Sequence, residues 1–240
     1  MENNIFSSTR KPLLPDDQKL WRYERKFLVN GLSSHQMESV IKRNTFMFSP
    51  VYEQRWVNNI YLDTTEKSSY ADNVEGLSNR EKYRIRWYGN LFGNIEKPVF
   101  EIKIKRGLLG KKETFKLPAF DLDESFGIQT ITTIIDSATT NSSWNIYLKS
   151  MGVSLINRYC RRYYMSSDKK FRITLDMNLM YQRVHQHGNY FLSQIKQHQC
   201  LILELKYAEE DNQQSQFISN QFPFRMTKSS KYIMGTDLLG

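Results

Sequence analysis

Along most of this chain apolar and polar residues alternate one for one, and the polar partner is repeatedly Lys or Arg. A period of two is the signature of a β-strand with two unlike faces. Residues 21–27 (WRYERKF) place Arg22, Glu24 and Lys26 on one face. Residues 83–88 (YRIRWY) place Arg84 and Arg86 opposite Ile85 and Trp87, and residues 99–105 place Glu101, Lys103 and Lys105 opposite Phe100, Ile102 and Ile104. Residues 158–164 align Tyr159, Arg161 and Tyr163, residues 171–175 align Arg172 and Thr174, and residues 200–207 align Ile202, Glu204 and Lys206. Residues 55–63 and 112–117 are two further strands, the second following a turn at Gly107–Gly110. Helices are expected over 121–136 and 142–151, the latter closed by Gly152, after a Ser33 or Ser34 N-cap, and in short pieces over 213–220 and 229–234. Strands outnumber helices, so the fold class is α+β.

One cationic strand face is ordinary solvated surface. The same bias on strand after strand has a second reading: the strands close into a barrel and the charged faces meet inside. Like charges about 4 Å apart cost roughly 4 kcal/mol at an effective dielectric of about 20, so such a lumen calls for water, counter-ions or an anionic ligand. The whole chain agrees in sign, with 34 Lys+Arg against 25 Asp+Glu in 240 residues and a net charge of +9. An anionic partner follows, whether nucleic acid, acidic membrane or phosphate compound. A linear polyphosphate would fill a cationic tunnel well, because several Arg and Lys can grip it at once; charge alone does not choose between these partners. Two cysteines, Cys160 and Cys200, exclude a disulfide scaffold and a cysteine-ligated zinc cluster. No apolar stretch reaches membrane-span length and no secretory signal is evident, so a cytoplasmic setting is expected. Residues 1–19 read as a loose tail and 20–240 as one domain.

The ordered stretches Tyr23-Glu24-Arg25-Lys26-Phe27, Ile60-Tyr61-Leu62-Asp63-Thr64, Tyr83-Arg84-Ile85-Arg86-Trp87-Tyr88-Gly89 and Glu101-Ile102-Lys103 continue with Tyr159-Cys160-Arg161, Arg172-Ile173-Thr174-Leu175-Asp176, Leu203-Glu204-Leu205-Lys206 and Lys228-Ser229-Ser230-Lys231-Tyr232. This set resembles the VTC domain, the polyphosphate-polymerase domain of the vacuolar transporter chaperone complex, within the CYTH-like, triphosphate tunnel metalloenzyme superfamily. The resemblance implies a closed antiparallel β-barrel, a tunnel of about eight strands with helices packed around it. It also implies transfer of the ATP γ-phosphate onto a growing polyphosphate chain, with Mn²⁺ or Mg²⁺ as cofactor. Position by position, Arg84, Arg86 and Lys231 carry the catalytic roles. Lys26, Lys103, Lys116, Arg161, Arg172, Lys228 and Ser230 bind phosphate, and Glu204 holds the metal. The vacuolar complex has an SPX domain and membrane segments that this sequence lacks, so a membrane-protein partner is implied.

The residue types make chemical sense without the family. Phosphoryl transfer needs alignment and charge neutralisation more than a protein nucleophile. Arg forks grip two phosphate oxygens each, and a hard divalent cation takes carboxylate and phosphate oxygens together. Lys231 stands near the start of a candidate helix, whose N-terminus adds positive charge. Hydrolytic tunnel enzymes begin with an acidic ExExK-type strand, whereas this chain has Arg22 in place of the first Glu. The lower acid count speaks against a triphosphate or nucleotide hydrolase of the same fold; a non-catalytic module binding polyphosphate or nucleic acid is the other alternative to a polymerase. Nucleic acid is the disfavoured partner. Outside this set, His185–Asn189 reads as a hairpin turn rather than a metal pair, and His35 and His198 have no evident partner. Cys160 reads as an inert thiol, Asp63 and Asp176 as strand-ending structural residues, and Trp56, Trp87 and Tyr88 as core rather than base-stacking residues.

Overall fold

The computed structural model describes residues 21–138, 149–185, 189, 191 and 194–240. The tail over 1–19, the helix expected over 142–151 and the turn at 185–189 lie wholly or largely outside them. Four elements open the fold: β1 (Arg22–Asn30), α1 (Ser34–Lys42), β2 (Ser49–Asp63) and α2 (Ser68–Val74). They are followed by β3 (Asn79–Tyr88), β4 (Gly93–Ile95), β5 (Val99–Arg106), β6 (Leu109–Lys116), β7 (Phe120–Leu122) and α3 (Ile128–Ala138). The last part carries β8 (Gly152–Met165), β9 (Arg172–Arg183), β10 (Gln194–Gln197), β11 (Cys200–Tyr207), α4 (Asn212–Asn220) and α5 (Lys231–Leu239).

The main sheet runs β10-β9-β11-β1-β6-β5-β3-β2-β8, and β8 pairs back onto β9. The order β9-β11-β1-β6-β5-β3-β2-β8 is therefore a closed ring, antiparallel at every step, with β10 attached outside it. Closure follows from the alternation. Most strands of the ring have one apolar face that must leave water and one charged face that cannot enter an apolar core. A ring satisfies both, with the apolar faces outward under helices and the charged faces toward a shared lumen.

Two outer cores result. One packs Ile60, Tyr83, Ile85, Trp87, Phe100 and Ile102 against Ile131, Ile134 and Ile135 of α3. The other packs Phe27, Val29, Ile173, Leu203 and Leu205 against Met37 and Ile41 of α1 and Ile218 of α4. Helix α1 starts at a capping box: Ser33 Oγ accepts from Gln36 N–H, and Ser33 N–H donates to the Gln36 side chain. The helix expected over 121–136 begins later, at Ile128, because Phe120–Leu122 instead pairs as a strand with β4. Gly152 opens β8 rather than closing a helix.

Two features of the ring shape its interior. The contact between β1 and β6 is thin, joining only Arg22 to Gly110 and Tyr23 to Leu109. Beyond it the segment before α5 lies along β1, with Phe27 bridged to Met226 and Thr227 N–H donating to Lys26 C=O at 2.8 Å. The second feature is a bulge in β9. Arg158 pairs with Met180 but Cys160 with Met177, so β9 carries one extra residue there, and Asn178 takes a left-handed φ of 53°. The extra residue reverses which residues face inward. Before it, Arg172, Thr174 and Asp176 point to the lumen; after it, Leu179 and Tyr181 do.

The far end of the lumen is accordingly apolar. There Tyr61, Leu155, Leu179, Tyr181 and Ile202 pack on Tyr232 and Leu239 of α5, which floors the barrel. Gly235 permits this approach, since a Cβ there would lie 2.5 Å from Tyr181 Cδ1 and 3.0 Å from Leu155 Cδ2. Ala is the better helix former by about 1 kcal/mol, but overpacking a filled core costs about 1–3 kcal/mol. We expect Gly235→Ala to lower the melting temperature by about 2–8 °C. It should also weaken anion binding, because the same helix carries Lys231; calorimetric melting and titration of tripolyphosphate check both.

Candidate functional site: a cationic tunnel

Contacts that skip a strand identify the inward face. Lys103 of β5 donates to Glu24 of β1 at 2.8 Å, although β6 lies between them in the ring. Arg86 of β3 reaches Tyr159 Oη of β8 at 3.2 Å across β2, and Arg161 of β8 lies 3.6 Å from Glu204 of β11 across β9. These spans run through the lumen. The residues that alternate with the outer cores are therefore the tunnel lining.

Three clusters make up that lining. In the first, Glu101 is shared by Arg84 (2.6 Å), Arg86 (3.3 Å) and Lys112 (2.9 Å), and Arg86 also donates to Asn59 Oδ1 at 2.9 Å. In the second, Glu24 faces Lys103, Lys26 and Lys206, the last two at 3.7 Å. In the third, Asp176 accepts a two-pronged bond from Arg161, 2.5 and 2.7 Å, and lies 2.5 Å from Lys231. Glu204 adjoins that third cluster, with Lys206 at 3.0 Å, Lys231 at 3.3 Å and Lys26 at 3.7 Å.

Each carboxylate thus serves two to four cations, and positive charge remains in excess. Burial opposes the charge on Glu101, but Arg86, Arg84 and Lys112 outweigh it and hold the carboxyl far below the usual range. Glu204 is likewise depressed: burial raises it, and Lys206, Lys231 and Lys26 more than reverse that. Lys231 gains in the opposite sense, because burial lowers it while Asp176 and Glu204 hold it protonated. Other lysines are less well served. Burial, with Lys26 adding to it against Glu24, pushes Lys103 down to about 7. Burial and then Lys26 and Lys103 push Lys82 well below its ordinary value.

The residues singled out from the sequence fall at several depths. Lys26, Arg84, Arg86, Lys103, Arg161, Glu204 and Lys231 converge in the lumen. Arg172 is half-buried at the start of β9, opposite Lys206 in register. Lys116 stands exposed at the end of β6, on the strand face that carries Lys112. Lys228 is exposed in the segment before α5. Ser230 caps α5, and its Oγ accepts from Lys82 Nζ at 2.7 Å and from Ile233 N–H. The hydroxyl of neighbouring Ser229 is buried with no hydrogen-bond partner, while its carbonyl takes Lys26 Nζ at 3.0 Å.

Other sequence readings need correction. Asp176 does not end a strand; it sits fully buried in mid-β9 and is the main counter-ion of Arg161. Alternation from Arg172 through Thr174 reaches it, had the strand been carried two residues further. The same applies to Lys82, two residues before Arg84. Tyr88 and Trp56 are not core, being 47% and 36% exposed, whereas Trp87 is buried. Asp63 is structural as read, accepting from the N–H groups of Thr64, Ser69 and Tyr70. Cys160 is buried, and burial raises its thiol.

A closed eight-stranded antiparallel ring with a cation-lined lumen defines a tunnel-fold protein. Two solved structures share the fold at a TM-score of 0.50. One is a candidate adenylate cyclase from Vibrio parahaemolyticus, 11% identical, covering 90% of this chain and 99% of its own. The other is a candidate adenylyl cyclase from Hippeastrum described as having a dominant triphosphatase activity, 12% identical, covering 90% of this chain and 95% of its own. A search of curated protein sequences finds no match. The chain belongs to the VTC domain family, whose pattern it matches over residues 21–239.

Two expectations follow from the electrostatics. Glu101→Gln leaves Arg84, Arg86 and Lys112 facing one another, and removing one partner of a buried ion pair costs about 3–5 kcal/mol. The variant should melt about 6–15 °C lower, and millimolar tripolyphosphate should restore much of the loss. For Lys103, held near 7 without ligand, a bound polyanion raises the pKa, so binding above about pH 7.5 takes up protons. Calorimetry in buffers of different ionisation enthalpy should show uptake of about one proton, reduced in Lys103→Met.

Proposed function

We propose that this chain is an ATP-dependent polyphosphate polymerase, transferring the γ-phosphate of ATP to the end of a polyphosphate chain inside the tunnel. The observation that carries this reading is the imbalance of the lining. Among the described residues, Lys26, Arg84, Arg86, Lys103, Lys112, Arg161, Lys206 and Lys231 share Glu24, Glu101, Asp176 and Glu204, while Lys82 donates to Ser230. Such a lumen is fitted to a ligand carrying many negative charges in a row. Membership of the VTC domain family supports the same substrate class. We take residues 20–240 as the functional unit, working in a reducing, cytoplasmic setting with a membrane-protein partner.

The acceptor's terminal phosphate oxygen is already anionic and needs no base. It attacks the γ-phosphorus, the bond to the bridging β-oxygen breaks, and ADP leaves. Arg84 and Arg86, fixed by Glu101, would hold the transferring group with their guanidinium planes pre-set. Lys231 and Arg161, fixed by Asp176, would neutralise charge from the opposite wall. Lys26, Lys103 and Ser229 or Ser230 would hold the phosphates on either side.

Glu204 fits as the protein's ligand for Mn²⁺ or Mg²⁺. It is ionised, it offers hard oxygens, and it faces the lumen. Among the described residues no three His, Cys, Asp or Glu gather into a metal-ligand group, so phosphate oxygens and water would complete the shell. When bound, the cation supplies neutralisation of phosphate charge.

Phosphorus NMR of the protein with ATP and Mn²⁺ tests the assignment. Growth of mid-chain phosphate signal alongside ADP is expected. Orthophosphate without mid-chain signal would move the assignment to a triphosphatase, and unchanged ATP would leave a binding module. Arg86→Ala and Lys231→Ala should each slow synthesis about 100-fold or more.

A further inference from the structure

The lumen does not end abruptly at its open mouth. On β3, Tyr88 follows Arg84 and Arg86 on the same strand face; on β8, Tyr163 follows Arg161; and Arg55 of β2 is the register partner of Arg161. These three side chains meet. The Arg55 guanidinium lies 4.4 Å from the Tyr88 ring centre and 4.8 Å from that of Tyr163, and its Nε donates to Tyr163 Oη at 3.0 Å. Arg161 lies 5.9 Å from the Tyr163 ring centre. Tyr52 packs edge-on against Tyr163 at 5.5 Å. A ladder of alternating rings and guanidinium groups therefore runs from the catalytic level to the rim. Among the described residues no carboxylate pairs with Arg55, although the lumen arginines Arg84, Arg86 and Arg161 each have one.

The rim differs in chemistry from the lumen below it. The lumen offers charge to charge, whereas the rim offers flat faces. Tyr88 is 47% exposed, so an aromatic surface braced by Arg55 is open to a flat partner. Two residues along a strand span about 7 Å, the offset a ribose introduces between its 5′-phosphate and its base. We propose that Tyr88 and Arg55, backed by Tyr163, form a stacking platform for the nucleobase of a nucleoside triphosphate whose phosphates lie in the tunnel. The platform selects a nucleotide donor over inorganic phosphate chains. It distinguishes purine from pyrimidine only by stacking area, since it offers no hydrogen-bond pattern to read. This rests on the tunnel being the triphosphate site.

The test titrates ATP, UTP and inorganic tripolyphosphate into the protein and into Tyr88→Ala, Arg55→Ala and Tyr88→Phe. Base–aromatic stacking is worth about 5- to 100-fold in affinity by alanine substitution. Tyr88→Ala and Arg55→Ala should therefore weaken ATP by about that factor, UTP by less and tripolyphosphate by no more than about twofold, while Tyr88→Phe keeps ATP affinity. A triphosphate bearing 2-aminopurine should be quenched on binding to the unsubstituted protein and not to Tyr88→Ala. Equal loss for ATP and tripolyphosphate, or no loss for ATP, would overturn the platform while leaving the tunnel intact. Failure of the unsubstituted protein to bind tripolyphosphate would overturn the tunnel reading and the platform with it.

Discussion

Mutual repulsion inside the barrel is the constraint that orders the rest of this structure. Among the described residues, eight Lys and Arg side chains in the lumen share four carboxylates, and a ninth, Lys82, donates to the Ser230 hydroxyl. Each carboxylate sits at the centre of a cationic group rather than at its edge. The wall that resists this pressure is built from ladder hydrogen bonds and two apolar layers outside it, under α3 on one side and α1 and α4 on the other. The cost is visible where counter-charge runs short. Lys103 and Lys82 are driven toward neutrality, while Lys231, close to both Asp176 and Glu204, is not. On the proposed reading, a polyanion entering the lumen would favour the protonated forms of Lys103 and Lys82, so binding, stability and proton uptake would be linked.

The fold was legible because its two periodicities are unambiguous. Residues 200–207 form a strand with the same limits as its alternation, and in β1, β3 and β5 the face that carries Lys and Arg is the face that lines the tunnel. What alternation does not supply is where a strand stops. β2, β8 and β9 run well beyond the stretches of clear pattern. In the extensions of β8 and β9 the inward residues change from charged to apolar, as with Leu155 and Tyr181, so the contrast between faces disappears. Asp176 was misassigned for that reason: it lies at the changeover. Short strands such as β4 and β7 carry too few residues to show a period at all.

The site was legible as a set of charges and less so as a set of pairs. Which cation answers which carboxylate depends on contacts across the lumen, and these skip strands that are neighbours in the sheet. Glu101 illustrates this. Its alternation put it on the charged face, but only closure brings Arg84, Arg86 and Lys112 onto its two oxygens. Relatives with the same ring at 11–12% identity fit this picture, since a ring can be kept by the pattern of faces while individual residues change.

The bulge at Asn178 sets a rule about chain length rather than about residue type. On one side of it β9 gives Asp176 to the charged chamber; on the other it gives Leu179 and Tyr181 to the apolar floor. One residue more or fewer between Asp176 and Leu179 would turn the remainder of the strand inside out. Met180 would then enter the lumen, and Tyr181 would leave α5 without a seat. Substitutions along β9 can be graded by size and charge, but its residue count between those two chambers is fixed, and related chains that keep the chambers should show even-numbered insertions there or none.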